Sequence, residues 1–365
     1  MLKKRGWDVS LLTYHPGDFF LPMLRDGGVE YTCLPKYSHW RRALAIRHIL
    51  RHGDQDVVLA FLDGPVLYAE LAAIPRRRWG LVVSERNAIP WTQSSRLNRL
   101  RQFHRLADYV TTNSHSNRLM IERAAPALKN RIVTIYNTVN FEAFTPLPMP
   151  DENEAGMVRI VVAARYEAQK NPEGLIRAVS IVKKGNPFVK IVLDWFGRHA
   201  VGEGSVFSKA ERLVEELGLR DCVRLHGESK TIKAEYAGAH AVAMPSFFEG
   251  VSNTICEAMA CGRPILSSNV CDAGNLVEEG ENGFLFDPAS ADSMAAALTK
   301  FIALTPSQRE AMGKRSREMA ERLFDSETVV SRYEEVLRSA ATKPKAAPLG
   351  HWVPEVPPSA KEWMW

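Results

Sequence analysis

No pair of cysteines stands at metal-binding or redox spacing. The five cysteines, Cys33, Cys222, Cys256, Cys261 and Cys271, fall at unrelated intervals along 365 residues. An odd, unpatterned set excludes a disulfide scaffold, a zinc site and a CxxC redox centre, and reads as a reduced, cytosolic chain. Long apolar runs are missing too: nowhere do about 18 uncharged apolar residues follow one another, the least a spanning helix needs. The basic start, Met1 to Gly6, is followed by Asp8 and Asp18 rather than by an apolar segment, so it does not read as a signal peptide. Aromatic residues seldom accompany the basic clusters and no nucleic-acid-binding motif occurs, which counts against a DNA or RNA partner. What is present, 45% hydrophobic and 24% charged residues, suits a globular protein of two domains at about 150 residues each.

Charge is unevenly spread. Residues 1–150 hold 21 Lys and Arg against 12 Asp and Glu, whereas the remainder holds 26 against 30. The clusters Arg76-Arg77-Arg78 and Arg96, Arg99, Arg101, Arg105 suit either a solvated face or contact with an anionic surface such as phospholipid headgroups.

Short β-rich runs alternate with helical patterns. Strands are expected at 8–13, 29–34, 56–61, 80–84, 109–113 and 132–136, and helices at 43–51, 66–73, 94–107 and 116–124. Such alternation argues for a parallel sheet covered on both faces. Pro146, Pro148, Pro150 and the acidic run from Asp151 to Glu154 interrupt it, as a linker does. It resumes with strands at 157–163, 189–196, 222–225, 241–244 and 263–267, and helices at 172–184, 209–217, 291–304, 306–324 and 326–341. The expected organisation is a first domain over 1–145, a linker over 146–157 and a second domain over 158–324. A helix over 325–341, able to cross back to the first domain, and a disordered Pro-rich tail over 342–365 complete it.

The segment from Met244 to Gly262 carries the most chemistry. A strand end is followed by a turn holding Pro245 to Gly250, then by a helix capped by Ser252 or Asn253. The backbone N–H groups around Ser252, Asn253 and Thr254 then form an anion cradle aided by the helix dipole. Gly250 lets a ligand approach the backbone. Glu249 and Glu257 flank the cradle, and carboxylates accept hydrogen bonds from the paired hydroxyls of a ribose or a sugar ring. Glu257 lies in an apolar helix, where a charge calls for a partner. In a second segment, Val161 to Gly174, a strand ends at Ala164, and Arg165 and Lys170 stand before the helix that Pro172 opens. Two cations there can neutralise a diphosphate, or can pair with Glu167 and Glu173. His226 reads as a strand-end core residue.

Arg165 and Lys170 after a strand, with Glu249 and Glu257 in E-x7-E spacing, resemble the retaining glycosyltransferases of family 4. Other segments agree in order: Val133 to Asn140 with Phe144 and Pro146 is similar to the family's linker, Leu193 to Gly197 to the strand and glycine before the donor site, and Val223 to Gly227 and Gly283 to Pro288 to further strands. The resemblance extends over roughly residues 3–340. It implies an α/β chain of GT-B fold, two facing Rossmann-like domains with parallel sheets. The implied activity is hexosyl transfer, with retention, from a UDP- or GDP-sugar to a glycan or lipid-linked acceptor in cell-surface polysaccharide biosynthesis. It assigns catalysis to Glu249, Arg165 and Lys170. Donor binding falls to Glu257, Gly250, Val251, Ser252, Asn253, Thr254 and Gly197. Neither a metal nor a cofactor beyond the donor is implied. The basic half would rest on the anionic inner face of the cytoplasmic membrane. A nucleotide-sugar-binding pseudoenzyme, or another GT-B enzyme such as an inverting transferase or an epimerase, is the alternative.

The chain departs from the family in two places. Many relatives carry a histidine, near the transferred sugar, at the end of the strand that here reads Leu81-Val-Val-Ser-Glu85-Arg86. Glu85 and Arg86 are expected either to contact sugar, acceptor or phosphate, or to close a buried salt link with each other. Relatives also begin with a strand, a Gly-rich loop and a helix ending in a basic turn, whereas this chain begins at that turn, Lys3-Lys4-Arg5-Gly6. About 25 to 40 residues, an ordinary strand, loop and helix, are therefore expected to be absent. The first strand of a doubly wound sheet is central, so its neighbours would be left unpaired.

Overall fold

The computed structural model describes residues 1–17, 20–86, 95–150, 156–200 and 202–342. The expected tail beyond Thr342 and the acidic run from Asp151 to Glu154 lie outside them. The strands are β1 Ser10–Thr13, β2 Glu30–Cys33, β3 Val57–Phe61, β4 Gly80–Glu85, β5 Tyr109–Thr112 and β6 Ile132–Thr134, then β7 Val158–Ala163, β8 Ile191–Phe196, β9 Val223–His226, β10 Ala241–Met244, β11 Ile265–Ser268 and β12 Gly283–Phe286. The α-helices before the linker are α1 Leu21–Asp26, α2 His39–His52, α3 Asp63–Ala72, α4 Ser95–Leu100 and α5 His115–Ala124. After it come α6 Pro172–Gly185, α7 Val206–Glu216, α8 Ile232–Ala237, α9 Asn253–Ala260, α10 Ala273–Leu276, α11 Ala291–Ile302, α12 Pro306–Leu323 and α13 Ser326–Ala341.

Every strand pairing is parallel. Before the linker, among the described residues, β1 pairs only with β2, and β3-β4-β5-β6 form a separate four-stranded sheet. Among the described residues no strand joins the two. After the linker the order is β12-β11-β10-β7-β8-β9, a doubly wound sheet whose order reverses between β7 and β10. Side chains alternate across it with the strand period of two. Val158, Ile160 and Val162 enter one core with Leu175, Val179 and Phe301, while Val161 enters the opposite core with Ile255, Met259 and Phe324. Both faces are thus covered, which is why these strands are apolar throughout.

The closing helix α13 begins at Asp325, whose carboxylate accepts from Thr328 N at 2.8 Å. It returns to the first sheet: Val329, Val336, Leu337 and Ala340 pack with Val82, Tyr109, Val133 and Ile135. Gly80 is required there, because a Cβ would overlap the Ala340 carbonyl.

The expected helix over 94–107 is corrected. It is α-helical only to Leu100 and then tightens into a 3-10 helix over Arg101–Leu106. With three residues per turn, positions 101 and 104 eclipse, and both Arg101 and His104 turn into the core. The Arg-rich stretch is therefore not a uniformly solvated face.

Candidate active site

Ligands on a doubly wound sheet sit beyond the strand carboxyl ends where the order reverses. Here that point is framed by the loop after β7, Ala164 to Lys170, and the loop after β10, Pro245 to Ser252. The two loops hold each other. Gln169 Nε2 donates to the Phe248 carbonyl at 2.7 Å, and Phe247 N donates to the Gln169 carbonyl at 2.9 Å. The α9 residue Thr254 reaches the end of β7, its hydroxyl donating to the Ala163 carbonyl at 2.8 Å.

Within this frame Lys170 Nζ pairs with Glu249 Oε1. Ser246 Oγ donates to the same oxygen at 3.0 Å. The two groups assigned to opposite substrate parts, the diphosphate and the sugar, are thus in contact before any donor enters. Arg165 is not part of this cluster: it stands exposed and pairs with Glu167 at 2.8 Å, one of the two alternatives its position allowed.

Glu257 lies one turn inside α9, half-buried, with no hydrogen-bond or ionic partner among the described residues. Burial alone pushes its carboxyl up to about 7. A carboxyl desolvated without compensation is poised for a ligand that donates hydrogen bonds. Glu257→Gln is expected to weaken nucleoside diphosphate binding by about ten-fold or more, since hydrogen bonds to a charged group carry ~1.5–3 kcal/mol. Calorimetric titration checks this. The same group bears on stability. Its raised value means that its contribution to the folded state is full below the ordinary carboxyl range near ~4.3 and is lost as pH rises through about 7. The glutamine variant should therefore melt no lower than wild type above pH ~7 while binding donor less tightly.

The cradle is open at the start of α9. Ser252 is the N-cap and makes no side-chain cap bond, so the first N–H groups are left for an anion. Asn253 is the first helical residue and Val251 is buried beneath the turn. Gly250 has a packing reason as well: a Cβ there would press on Asn113 Oδ1 at 2.7 Å and the Arg86 carbonyl at 3.1 Å. Gly197, at the end of β8, permits close backbone approach, since a Cβ would overlap the Ala164 carbonyl. His226 ends β9, stacks on Phe196 at 4.4 Å and bonds Asp194 Oδ1 at 2.8 Å. Burial acts to raise Asp194, but His226 and Arg159 hold it below the usual range.

The Glu85–Arg86 salt link does not form. Glu85 ends β4 with its side chain turned into the first domain. Arg101 binds it through Nε at 3.0 Å and Nη2 at 2.8 Å, and His104 Nε2 lies 2.7 Å from Oε1. Both oxygens are occupied, so in this arrangement Glu85 is not presented to a sugar. Successive strand residues point to opposite faces, and Arg86 accordingly goes the other way. Its Nη2 donates to Asn137 Oδ1 and its Nη1 to the Tyr333 hydroxyl at 2.9 Å. Asn137 donates in turn to the Val251 carbonyl at 2.8 Å and to Asn253 Oδ1 at 2.6 Å. Arg86 is therefore two hydrogen bonds from the cradle.

Asp272 is a further tie that the sequence did not point to. Its buried carboxylate accepts from His115 N at 2.8 Å, Ser116 N at 3.0 Å, Ser116 Oγ at 2.8 Å and Tyr136 OH at 2.9 Å. A residue of the second domain thereby occupies the start of α5 in the first. No motif signals it, because its partners are more than 130 positions away. Among the described residues no group of three or more His, Cys, Asp or Glu is arranged to hold a metal ion.

Comparison with known proteins gives the family and the fold. Residues 1–143 match the Glycosyltransferase Family 4 model and residues 151–319 match the model for group 1 glycosyl transferases. Escherichia coli lipopolysaccharide 1,6-galactosyltransferase is 25% identical over 289 residues, 76% of this chain and 75% of that protein. A D-inositol 3-phosphate glycosyltransferase of Corynebacterium urealyticum is 27% identical over 253 residues, 66% of this chain but only 59% of that one. Among solved structures, Anabaena Alr3699/HepE in complex with UDP and glucose superposes with a TM-score of 0.78 at 20% identity, covering 90% of this chain and 91% of that one. The lipopolysaccharide outer core galactosyltransferase WaaB in its apo form gives 0.66 at 18%, covering 86% and 85%. With the two family models matched along nearly all of the described residues, the chain belongs to the family 4, group 1 glycosyltransferases and is an enzyme of GT-B fold.

Proposed function

We propose that this enzyme transfers a hexosyl group, with retention, from a uridine diphosphate sugar to a glycan or lipid-linked acceptor of the cell surface. The observation that carries the reading is the Lys170–Glu249 pair at the sheet's reversal point, beside an open helix start and an unpartnered Glu257. Relatives that act on lipopolysaccharide, and neighbours in complex with UDP, support the acceptor class and the base.

In this reading the diphosphate lies against the α9 N–H groups and Lys170, with Arg165 swinging in from solvent. Glu257 accepts from the ribose hydroxyls and Glu249 from the sugar. As the glycosidic bond breaks, negative charge grows on the leaving diphosphate, where the fixed cation and helix dipole stabilise it without reorganising. The acceptor hydroxyl attacks the same face of the sugar and gives its proton to that diphosphate. Charge neutralisation is assigned to these groups rather than to a metal ion. Arg86, reached through Asn137, supplies a cation from the opposite wall to sugar, acceptor or phosphate.

A thermal-shift series of UDP, GDP and their sugars tests the donor, with the largest rise expected for the uridine set. Nuclear magnetic resonance of the product then tests the stereochemistry. An inverted anomer, or stabilisation by guanosine compounds alone, would overturn the corresponding part.

A further inference from the structure

Buried polar atoms are paired almost without exception in folded proteins, so each orphan calls for a partner. Among the described residues of the first domain, two side-chain oxygens are buried without a hydrogen-bond partner, Ser84 Oγ and Asn113 Oδ1. Both stand at the carboxyl end of the sheet, where ligands of parallel sheets bind. Ser84 is the last residue but one of β4, and Asn113 is the first beyond β5. Ser84 is wholly enclosed. Asn113 is 3% exposed and meets the second domain: a Cβ built on Gly250 would lie 2.7 Å from its Oδ1 and 2.9 Å from its Nδ2.

Gly250 follows Glu249 and leads into the cradle. The Asn113 carboxamide therefore lies against the turn that carries both the sugar-facing carboxylate and the anion-binding start of α9. Oδ1 gains no donor from that contact, so parting Asn113 from Gly250 breaks no hydrogen bond at this oxygen. Other ties between the same elements are hydrogen-bonded, Asp272 to the start of α5 and Asn137 to Val251 and Asn253. The Asn113–Gly250 contact is the one that can open for a ligand while those hold.

The backbone around Asn113 is already set. Thr112 Oγ1 donates to the Ser114 carbonyl at 3.0 Å, and Ser114 Oγ caps α5 by accepting from Asn117 N at 3.1 Å. Asp272 fixes the N–H groups of His115 and Ser116. A group held this way loses little freedom when it binds. A carboxamide oxygen accepts and does not donate, so the partner it lacks carries an O–H or N–H. A diphosphate would meet it acceptor to acceptor, and belongs with Lys170 instead. The hydroxyls of a hexose fit.

We propose that Asn113 is a specificity-determining residue: the hexosyl group of the donor enters between Asn113 and Gly250, and Asn113 Oδ1 accepts a hydrogen bond from one of its hydroxyls. The proposal deepens the reading of a uridine diphosphate sugar donor and rests on it. Glu249 and Asn113 then grip the sugar from the two domains. A sugar without that hydroxyl leaves a buried oxygen unpaired, the kind of mismatch that a hydrogen-bonding site rejects.

Calorimetric titration of UDP, UDP-glucose, UDP-galactose and UDP-N-acetylglucosamine into wild type and Asn113→Ala tests it. Asn113→Ala removes no hydrogen bond of Oδ1 and should melt within about 2 °C of wild type. It should bind UDP as wild type does and bind the preferred sugar nucleotide about three- to ten-fold less tightly, the range of one neutral hydrogen bond. Asn113→Ser, which restores an oxygen acceptor, should recover part of the loss. Among monodeoxy analogues of the preferred sugar nucleotide, one should cost wild type a similar factor and cost Asn113→Ala nothing, since the two changes remove the same bond. An unchanged ratio of sugar-nucleotide to UDP affinity in Asn113→Ala overturns the proposal alone. Equal losses for UDP and its sugars would assign Asn113 a structural role and also overturn it. Wild type that binds no uridine compound removes the donor reading, and this proposal with it.

Discussion

Lys170→Ala is expected to lower turnover by about 10²–10³-fold, the usual cost of removing one preorganised group that stabilises transition-state charge. The ammonium is held by Glu249, which is itself fixed by Ser246 at 3.0 Å, so its position is set before substrate arrives. Arg165 has no such support: it is exposed and, among the described residues, tied only to Glu167. Arg165→Ala should therefore cost less, about ten-fold, because a solvated, mobile cation contributes modestly. Lys170→Arg keeps the charge but replaces a compact ammonium with a planar fork in a half-buried place, and should recover only part of the loss. Glu249 and Lys170 are in direct contact, so their single losses should not add in the double variant. Initial rates at saturating donor check all four. Turnover of Lys170→Ala above one tenth of wild type would remove Lys170 from the mechanism.

The parts of this site that were legible in the sequence are those that one element carries. E-x7-E lies on a single turn and helix, and Lys170 lies a fixed distance beyond a strand, so spacing alone places them. Much of the second domain was read element by element, because β7 and β8 are each followed by a long amphipathic helix, α6 and α7. The helices α1, α8 and α10 span only four to six residues, too few for a helical period to show. What spacing could not show was partnership between distant residues. Glu85 and Arg86 are adjacent in sequence, so a salt link between them was a natural expectation. The pleat sends their side chains to opposite faces, and each finds a partner elsewhere. The same limit hid Asp272, whose partners come from α5 and from the chain entering the linker. The basic stretch around Arg101 read as a surface because charge composition does not record which member turns inward.

That inward arginine gives the largest expected stability effect. Arg101 is fully buried, and besides Glu85 it donates to Asn98 Oδ1 at 3.0 Å and Asn117 Oδ1 at 3.2 Å. His104 bridges Glu85 to Glu70, with Nδ1 at 2.6 Å from Glu70 Oε1. Two carboxylates thus face one guanidinium and one imidazolium, all out of water. Burial alone would raise Glu85, yet His104 and Arg101 hold it down at about 2. Burial alone would lower His104, yet Glu70 and Glu85 hold it up at about 9. Removing one member of a buried charged set leaves the rest uncompensated, at a cost of about 3–5 kcal/mol. Arg101→Met should therefore lower the melting temperature by roughly 10 °C, whereas Arg105→Met, four residues on and exposed, should move it by about 2 °C or less. The pH profile gives the sign independently. Glu85 is depressed, so its contribution is present above the ordinary range near ~4.3 and is lost as pH falls through about 2. His104 is raised, so its contribution is present below ~6.5 and is lost as pH rises through about 9. His104→Gln should remove the alkaline decline, and Arg101→Met should move acid unfolding to higher pH. Urea unfolding followed by circular dichroism across this range measures both, and an Arg101→Met variant that unfolds like Arg105→Met would show that the buried network does not hold the domain together.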